Sequence, residues 1–131
     1  MSYALSIDLE KPYDEVVPLV KEALAANGFG IVSEIDMRRI LHDKIGVDID
    51  EQLILGACNP RFASRALQVE HSIGLLLPCN VVIRRAAGLT VVEAINPQTL
   101  VTLTENKAMA GLAGEVTAAL QATLELLRGQ A

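Results

Sequence analysis

Residues 53–60, Leu-Ile-Leu-Gly-Ala-Cys-Asn-Pro, and residues 74–84, Gly-Leu-Leu-Leu-Pro-Cys-Asn-Val-Val-Ile-Arg, decide the fold. The first begins as a nearly unbroken apolar run of strand length, which is typical of a strand covered on both faces. Asn59 has the side chain of a helix N-cap, and Pro60 suits the first position of a helix, where a missing N–H costs nothing. Cys58 is therefore predicted at the end of a strand, against a helix N-terminus.

The second segment places the other cysteine at the start of a strand. Cys79 follows Pro78 and precedes the β-branched run Val81–Ile83. Because successive strands usually pair, we expect the two thiols at the same edge of the sheet, within about 10 Å of each other. We expect this spacing to lie somewhat beyond the Cα separation of about 4.4–6.8 Å that a disulfide needs.

These positions make Cys58 the candidate catalytic thiol. A helix N-terminus carries partial positive charge and free N–H groups, so a thiol there should ionise more easily and an anion could dock there. The candidate ligand-binding residues are Cys58, Asn59, Pro60, Cys79 and Asn80. The competing interpretation is that the cysteines are small buried hydrophobic residues and that the side chains of Asn59 and Asn80 only form local hydrogen bonds with the backbone.

A metal site is not predicted, and the sequence identifies no cofactor. Structural zinc prefers four ligands, and His42 and His71 are the only imidazoles. Two thiolates alone could hold a monovalent copper ion. The spacing is not that of a C-x-x-C redox motif.

The paired motifs resemble those of a bacterial and archaeal family called domain of unknown function 302. The resemblance rests on residues 56–60 (GACNP) and 74–81 (GLLLPCNV), with 44–47 (KIGV) and 27–29 (NGF) in support, and it extends over nearly the whole chain. It implies a small α+β domain similar to the TATA-box-binding-protein fold, often dimeric. It implies no particular reaction.

Composition narrows the class of protein. The 131 residues are 51% hydrophobic, with only four Phe and Tyr and no Trp, so the core must consist of Leu, Ile, Val and Ala. A net charge of −5 argues against nucleic-acid binding, which needs a basic surface. Apolar runs that stop at Pro78 are too short to cross a membrane, and the N-terminal residues do not have the pattern of a secretory signal. We expect a cytoplasmic protein with reduced thiols.

Hydrophobic periodicity predicts one α+β domain over residues 1–131, with a mixed or antiparallel sheet and helices mainly on one face. The predicted order is strand, helix, strand, short helix, strand, helix, hairpin, helix. Phe29, Ile31, Ile35 and Met37 are predicted on one face of the second strand. Gly111 and Gly114 are expected to loosen the segment before the last helix, whose stripe is Leu112, Val116, Leu120, Thr123 and Leu127.

For the remaining polar side chains we predict exposure or a supporting role. His42 and His71 are expected to be exposed, the latter in a loop, and Glu93 is a possible buried general base or a solvent-facing residue at an edge. Arg61 and Arg65 lie on the helix after Asn59, where they either help to hold an anion or form a solvated face.

Three hypotheses about function remain open. The favoured one is a small-ligand-binding or sensing module with its site at Cys58-Asn59-Pro60 near Cys79. The second is a thiol-dependent enzyme, or a carrier of sulfur or of a soft metal, that uses both cysteines. The third is a structural homodimer, in which a second copy covers the sheet face that helices leave open.

Overall fold

The structure is a computed structural model that describes residues 2–129. Strands and helices are mixed along the chain, as predicted. The elements are β1 (Ala4–Leu9), α1 (Tyr13–Ala26), β2 (Gly30–Asp36), α2 (Met37–Ile45), β3 (Gln52–Cys58), α3 (Pro60–Val69), a 3₁₀ helix (His71–Leu76), β4 (Cys79–Ala86), β5 (Leu89–Ile95), α4 (Gln98–Thr104), a second 3₁₀ helix (Lys107–Met109) and α5 (Ala110–Gly129).

Across residues 2–129, the strands form one sheet in the order β1-β5-β4-β3-β2, and every neighbouring pair is antiparallel. The predicted α+β class with a single sheet is thereby confirmed. The hairpin between β4 and β5 turns at Ala87 and Gly88, which both have positive φ. Two successive residues with positive φ suit the tight turn that joins twisted antiparallel strands.

The core lies between the helices and one face of the sheet. Leu55, Val81, Ile83 and Val92 point from the strands into this layer, and helix α1 packs against α5 above it. The predicted stripe of α5 is confirmed, because all five of its members are buried. On the opposite face Asn80 is exposed, and Ser33 and Pro78 lie nearest to the Cβ position of Gly56. Helices therefore cover β3 on one face, in agreement with the prediction of helices mainly on one face, and cover of the second face by a partner stays a prediction.

Two predictions about the C-terminal half are wrong. Gly111 and Gly114 do not loosen a connection, since α5 already begins at Ala110 and includes both of them. Each glycine costs a helix up to about 1 kcal/mol, which the burial of the α5 stripe outweighs. His71 lies at the start of a 3₁₀ helix rather than in a loop. In agreement with the prediction, its side chain is exposed.

A β-bulge changes the expected pattern of β2. The register with β3 shifts between Ile31 and Ser33. Ile31 is opposite Ala57, whereas Ile35 is opposite Ile54, and residues 54 and 57 point to different faces of β3. The bulge therefore moves Ile35 to the face without helices, so the predicted single apolar face is wrong beyond Ile31.

Among residues 2–129, no helix combines the length and the hydropathy that crossing a bilayer requires.

Candidate functional site

A partly enclosed apolar cavity of about 100 Å³ lies at the end of the sheet where β3 ends and β4 begins. Its walls come from three parts of the fold. The sheet contributes Ala57, Cys58 and Cys79, and the residues just before β2 and β4 contribute Phe29 and Pro78. Helix α3 and its cap contribute Asn59, Phe62, Ala63 and Ala66. The C-terminal segment contributes Pro97, Leu100, Met109, Leu112, Ala113 and Val116. Val32 and Leu77 complete the lining.

Both cysteines contribute to the lining of this cavity. Ala57 is the direct partner of Cys79 across the β3–β4 ladder, so Cys58 is offset from Cys79 by a single residue. With ordinary strand spacing, this offset places their Cα atoms about 6 Å apart. That separation lies inside the Cα range of a disulfide rather than beyond it, but successive side chains of a strand point to opposite faces, so Cys58 leaves β3 on the face opposite to that of Ala57 and Cys79, and the pair lacks disulfide geometry. Both cysteines are free thiols.

The two thiols have different environments. Cys58 is half-buried, whereas Cys79 is buried at 9% exposure. Burial raises the pKa of the Cys79 thiol to about 11, and negative charge on Cys58 contributes to the same shift. Cys79 therefore stays protonated near neutral pH, because its charged form lacks solvation.

The start of α3 is fully capped by Asn59. The Asn59 side-chain oxygen accepts hydrogen bonds from the N–H groups of Arg61 at 3.0 Å and Phe62 at 3.2 Å. The Ala63 N–H donates to the Asn59 carbonyl at 2.9 Å, and Pro60 has no N–H. The predicted N-cap and first helical proline are thus confirmed. Over residues 60–63, no backbone donor is left free for the anion that the sequence suggested.

Two glycines explain the close packing around the motifs. A Cβ on Gly56 would clash with the Ser33 hydroxyl and would lie 2.7 Å from Cγ of Pro78. Gly28 has φ +86°, and a Cβ there would lie 2.9 Å from Nδ2 of Asn59. Both motifs therefore depend on a glycine that lets a neighbouring side chain approach the backbone.

The structure separates the five predicted ligand-binding residues. Cys58, Asn59 and Cys79 line the cavity. Pro60 is exposed and outside the lining, so its role here is to begin α3. Asn80 is exposed on the face without helices, opposite Gly56.

Arg65 and Glu93, two of the charged residues considered for a functional role, are each paired with a residue of opposite charge. Arg65 makes two hydrogen bonds to the Glu115 carboxylate, at 3.1 and 2.6 Å, and this contact lowers the pKa of Glu115. Glu93 accepts a hydrogen bond from Arg84 at 2.8 Å. It lies on β5, which is an inner strand, so the suggested edge position is wrong.

The C-terminal wall of the cavity was not identified from the sequence. Met109, Leu112, Ala113 and Val116 gave only the signal of an ordinary apolar helix stripe. They are far from Cys58 along the chain, so no local sequence pattern predicts that the two segments line the same cavity. Val32, an exposed residue at the bulge of β2, was not predicted to border the cavity, because a bulge has no signature in the alternation of β2.

Within the described chain, no group of three or more His, Cys, Asp or Glu side chains is arranged to hold a metal ion. The sulfur atoms of Cys58, Cys79 and Met109 line the cavity. Thiolate and thioether ligands favour soft monovalent ions, so a soft metal is the kind that these residues suit.

Comparisons with known proteins agree with this architecture. The chain is similar to the uncharacterized conserved protein DUF302 from Bacillus stearothermophilus, with 26% sequence identity and a TM-score of 0.91 to its crystal structure. The match covers 97% of this chain and 99% of that one. No curated protein matches. The family model Domain of unknown function DUF302 matches residues 5–127, and the chain therefore belongs to this family.

Proposed function

We propose that the protein binds a small, uncharged, apolar molecule in the cavity at the ends of β3 and β4. The cavity itself carries this proposal, since its lining is almost entirely carbon and sulfur. Asn59 is the one amide side chain in the lining, and its oxygen is already engaged by α3. Such a surface favours an apolar ligand over an anion.

The size of the cavity gives a second reason. An empty cavity costs about 24 cal/mol per Å³, so one of this volume lowers stability by about 2 kcal/mol if nothing fills it. An engineered apolar cavity of about 150 Å³ in another protein binds benzene. A compact hydrocarbon group of a few carbon atoms therefore matches the space here.

Titration of the reduced protein with dissolved isobutane, whose four carbon atoms match the size of the cavity, tests the proposal by two-dimensional amide NMR. We expect saturable shifts confined to residues 57–63, 77–79 and 109–116, together with a raised melting temperature, because a ligand that binds only the folded state stabilises it. An absence of saturable shifts in this region would contradict the proposal.

A matched pair of variants locates the binding. Ala113 lines the cavity, and Ala118 lies on the exposed side of the same helix. Ala113→Leu should fill the space and remove the isobutane-induced shifts. Ala118→Leu adds the same atoms outside the cavity and should leave the shifts unchanged.

A further inference from the structure

Among the described side chains that line the cavity, the amide of Asn59 is the one strong hydrogen-bond donor. We infer that the bound molecule carries a single acceptor oxygen of the carbonyl type beside its hydrocarbon group, and that Nδ2 of Asn59 donates a hydrogen bond to that oxygen. The inference deepens the proposed function and rests on it, because the hydrocarbon group would occupy the cavity.

The two ends of the Asn59 amide have different surroundings. Oδ1 accepts hydrogen bonds from the N–H groups of Arg61 at 3.0 Å and Phe62 at 3.2 Å, and these bonds identify the other branch as the nitrogen. That nitrogen lies 2.9 Å from the position that a Cβ would take on Gly28. Within residues 2–129, Nδ2 donates no hydrogen bond, and because the side chain is half-buried this donor stays reachable.

The lining of the cavity changes from buried to exposed residues. Leu100 and Met109 belong to its buried part. Asn59 and Phe62 are only half-buried, and Val32 is 63% exposed. A bound molecule would therefore place its hydrocarbon group against the buried residues and a polar atom at the exposed side, beside Asn59. Apolar walls with a small number of polar groups are usual for small-molecule sites.

The polar group of the ligand must accept a hydrogen bond rather than donate one. Oδ1 of Asn59 already receives two hydrogen bonds, which occupy both of its lone pairs. Among the described side chains of the lining, the other polar atoms are sulfur, which is a weak partner. A ketone, aldehyde or ester oxygen accepts without bringing a donor of its own. An amine would bring a donor, and its charged form would lose solvation among apolar walls.

Two-dimensional NMR of the side-chain amides tests the contact, with 2-butanone and isobutane as probes. Both molecules have four carbon atoms, and only 2-butanone carries an oxygen. We expect saturating 2-butanone to shift the side-chain NH₂ resonances of Asn59, because the carbonyl oxygen accepts a hydrogen bond from this group. Isobutane should shift them much less. The side chain of Asn80, exposed on the other face of the sheet, should respond to neither probe.

A matched pair of variants measures the strength of the contact. Asn59→Asp keeps an oxygen that caps α3 but removes the donor. It should lower the affinity for 2-butanone relative to that for isobutane by about fivefold or more, since a hydrogen bond is lost and the carboxylate repels the carbonyl oxygen. Asn80→Asp makes the same chemical change on the exposed face and should leave this ratio unchanged.

Two results would overturn the inference. One is that 2-butanone shifts the Asn59 side-chain resonances no more than isobutane does, and the other is that Asn59→Asp leaves the ratio of affinities unchanged. If isobutane still gives saturable shifts, the proposed apolar cavity survives and only the assignment of the acceptor oxygen fails. An absence of saturable shifts with both probes would remove both proposals.

Discussion

Gly28 lets the Asn59 side chain lie directly against the backbone of the α1–β2 connection. Its φ of +86° is a left-handed conformation that residues with a Cβ rarely adopt, and a Cβ here would lie only 2.9 Å from Nδ2 of Asn59. Asn59 is at the same time the cap of α3. A single glycine thus positions the helix start that borders the cavity.

Gly28→Ala should destabilise the protein by about 2–3 kcal/mol, because left-handed strain of about 1–2 kcal/mol is joined by the displacement of Asn59. Gly46→Ala is the matched control. Gly46 has φ +66° with open space around its Cβ position, so strain alone applies there. Urea unfolding of both variants measures the difference, and equal losses would show that the Asn59 contact is unimportant.

The raised pKa of Cys79 predicts a loss of stability at alkaline pH. The folded-state pKa of about 11 exceeds the ordinary value of 9.0, so the unfolded chain loses this proton first as pH rises. The contribution is complete below pH 9 and disappears as pH passes 11, with a magnitude of up to about 3 kcal/mol.

The free energy of unfolding, measured in urea with a reductant at pH 8 and pH 10.5, should fall more for the wild type than for Cys79→Ala. Tyr13, whose pKa is raised to about 12, titrates in both proteins and cancels in this comparison. Equal slopes in the two proteins would show that Cys79 ionises normally.

Burial also predicts the order in which the thiols are alkylated. Cys58 is half-buried and Cys79 is buried, with a high pKa that keeps it protonated. Iodoacetamide at neutral pH should therefore react first with Cys58. Cys58→Ser should abolish the fast phase of thiol loss, and Cys79→Ser should preserve it. If both thiols react only after unfolding, Cys58 is a core residue without chemical function.

At the scale of elements, the start of α3 joins the sheet to the cavity wall. One side-chain oxygen satisfies two N–H groups, and the helix then carries Phe62, Ala63 and Ala66 along the cavity. The same cap leaves no N–H group free over residues 60–63 for an external anion. The helix start therefore acts through its position and its dipole rather than as a binding nest.

Asn59→Ala should destabilise the protein by about 1–2 kcal/mol, because both capping hydrogen bonds are lost. Asn59→Asp keeps a capping oxygen and should retain most of the stability. Thermal unfolding measures both changes. A loss as large in the aspartate variant would assign the effect to the amide packing on Gly28 instead of to the cap.

At the scale of the whole molecule, the helices leave one sheet face uncovered. Ile54, Val82 and Ile95 are only partly buried there, beside the ion pair of Arg84 and Glu93. Apolar side chains on an open sheet are typical of a surface that meets a partner. A second copy of the chain, related by a two-fold axis, is the simplest partner.

We expect a homodimer by light scattering at working concentration. Val82→Glu places an unpaired charge in the middle of the open face and should shift the mass to that of a monomer, whereas Ser64→Glu on the exposed side of α3 should not. A monomer mass for the wild type would contradict the prediction.

The sequence by itself determined the elements and the local structure of both motifs. Alternation and helical spacing are properties of neighbouring residues, so the strands, the α5 stripe and the Asn59–Pro60 helix start followed from short stretches of chain. The adjacency of Cys58 and Cys79 followed in outline, because consecutive strands usually pair. The close approach at Gly56 was not predicted, since Ser33 meets it from β2 and Pro78 from the segment just before β4.

Only the tertiary structure decided where a ligand could be held. The cavity needs α5 to lie over the end of β3, and no local pattern specifies that contact between residues more than fifty positions apart. The position of Asn80 on the face without helices and the effect of the β2 bulge both depend on strand register. A shift of one residue in register moves every following side chain to the other face of the sheet. The physical reason is that packing between distant segments, rather than the preference of any one segment, determines which side chains share a space.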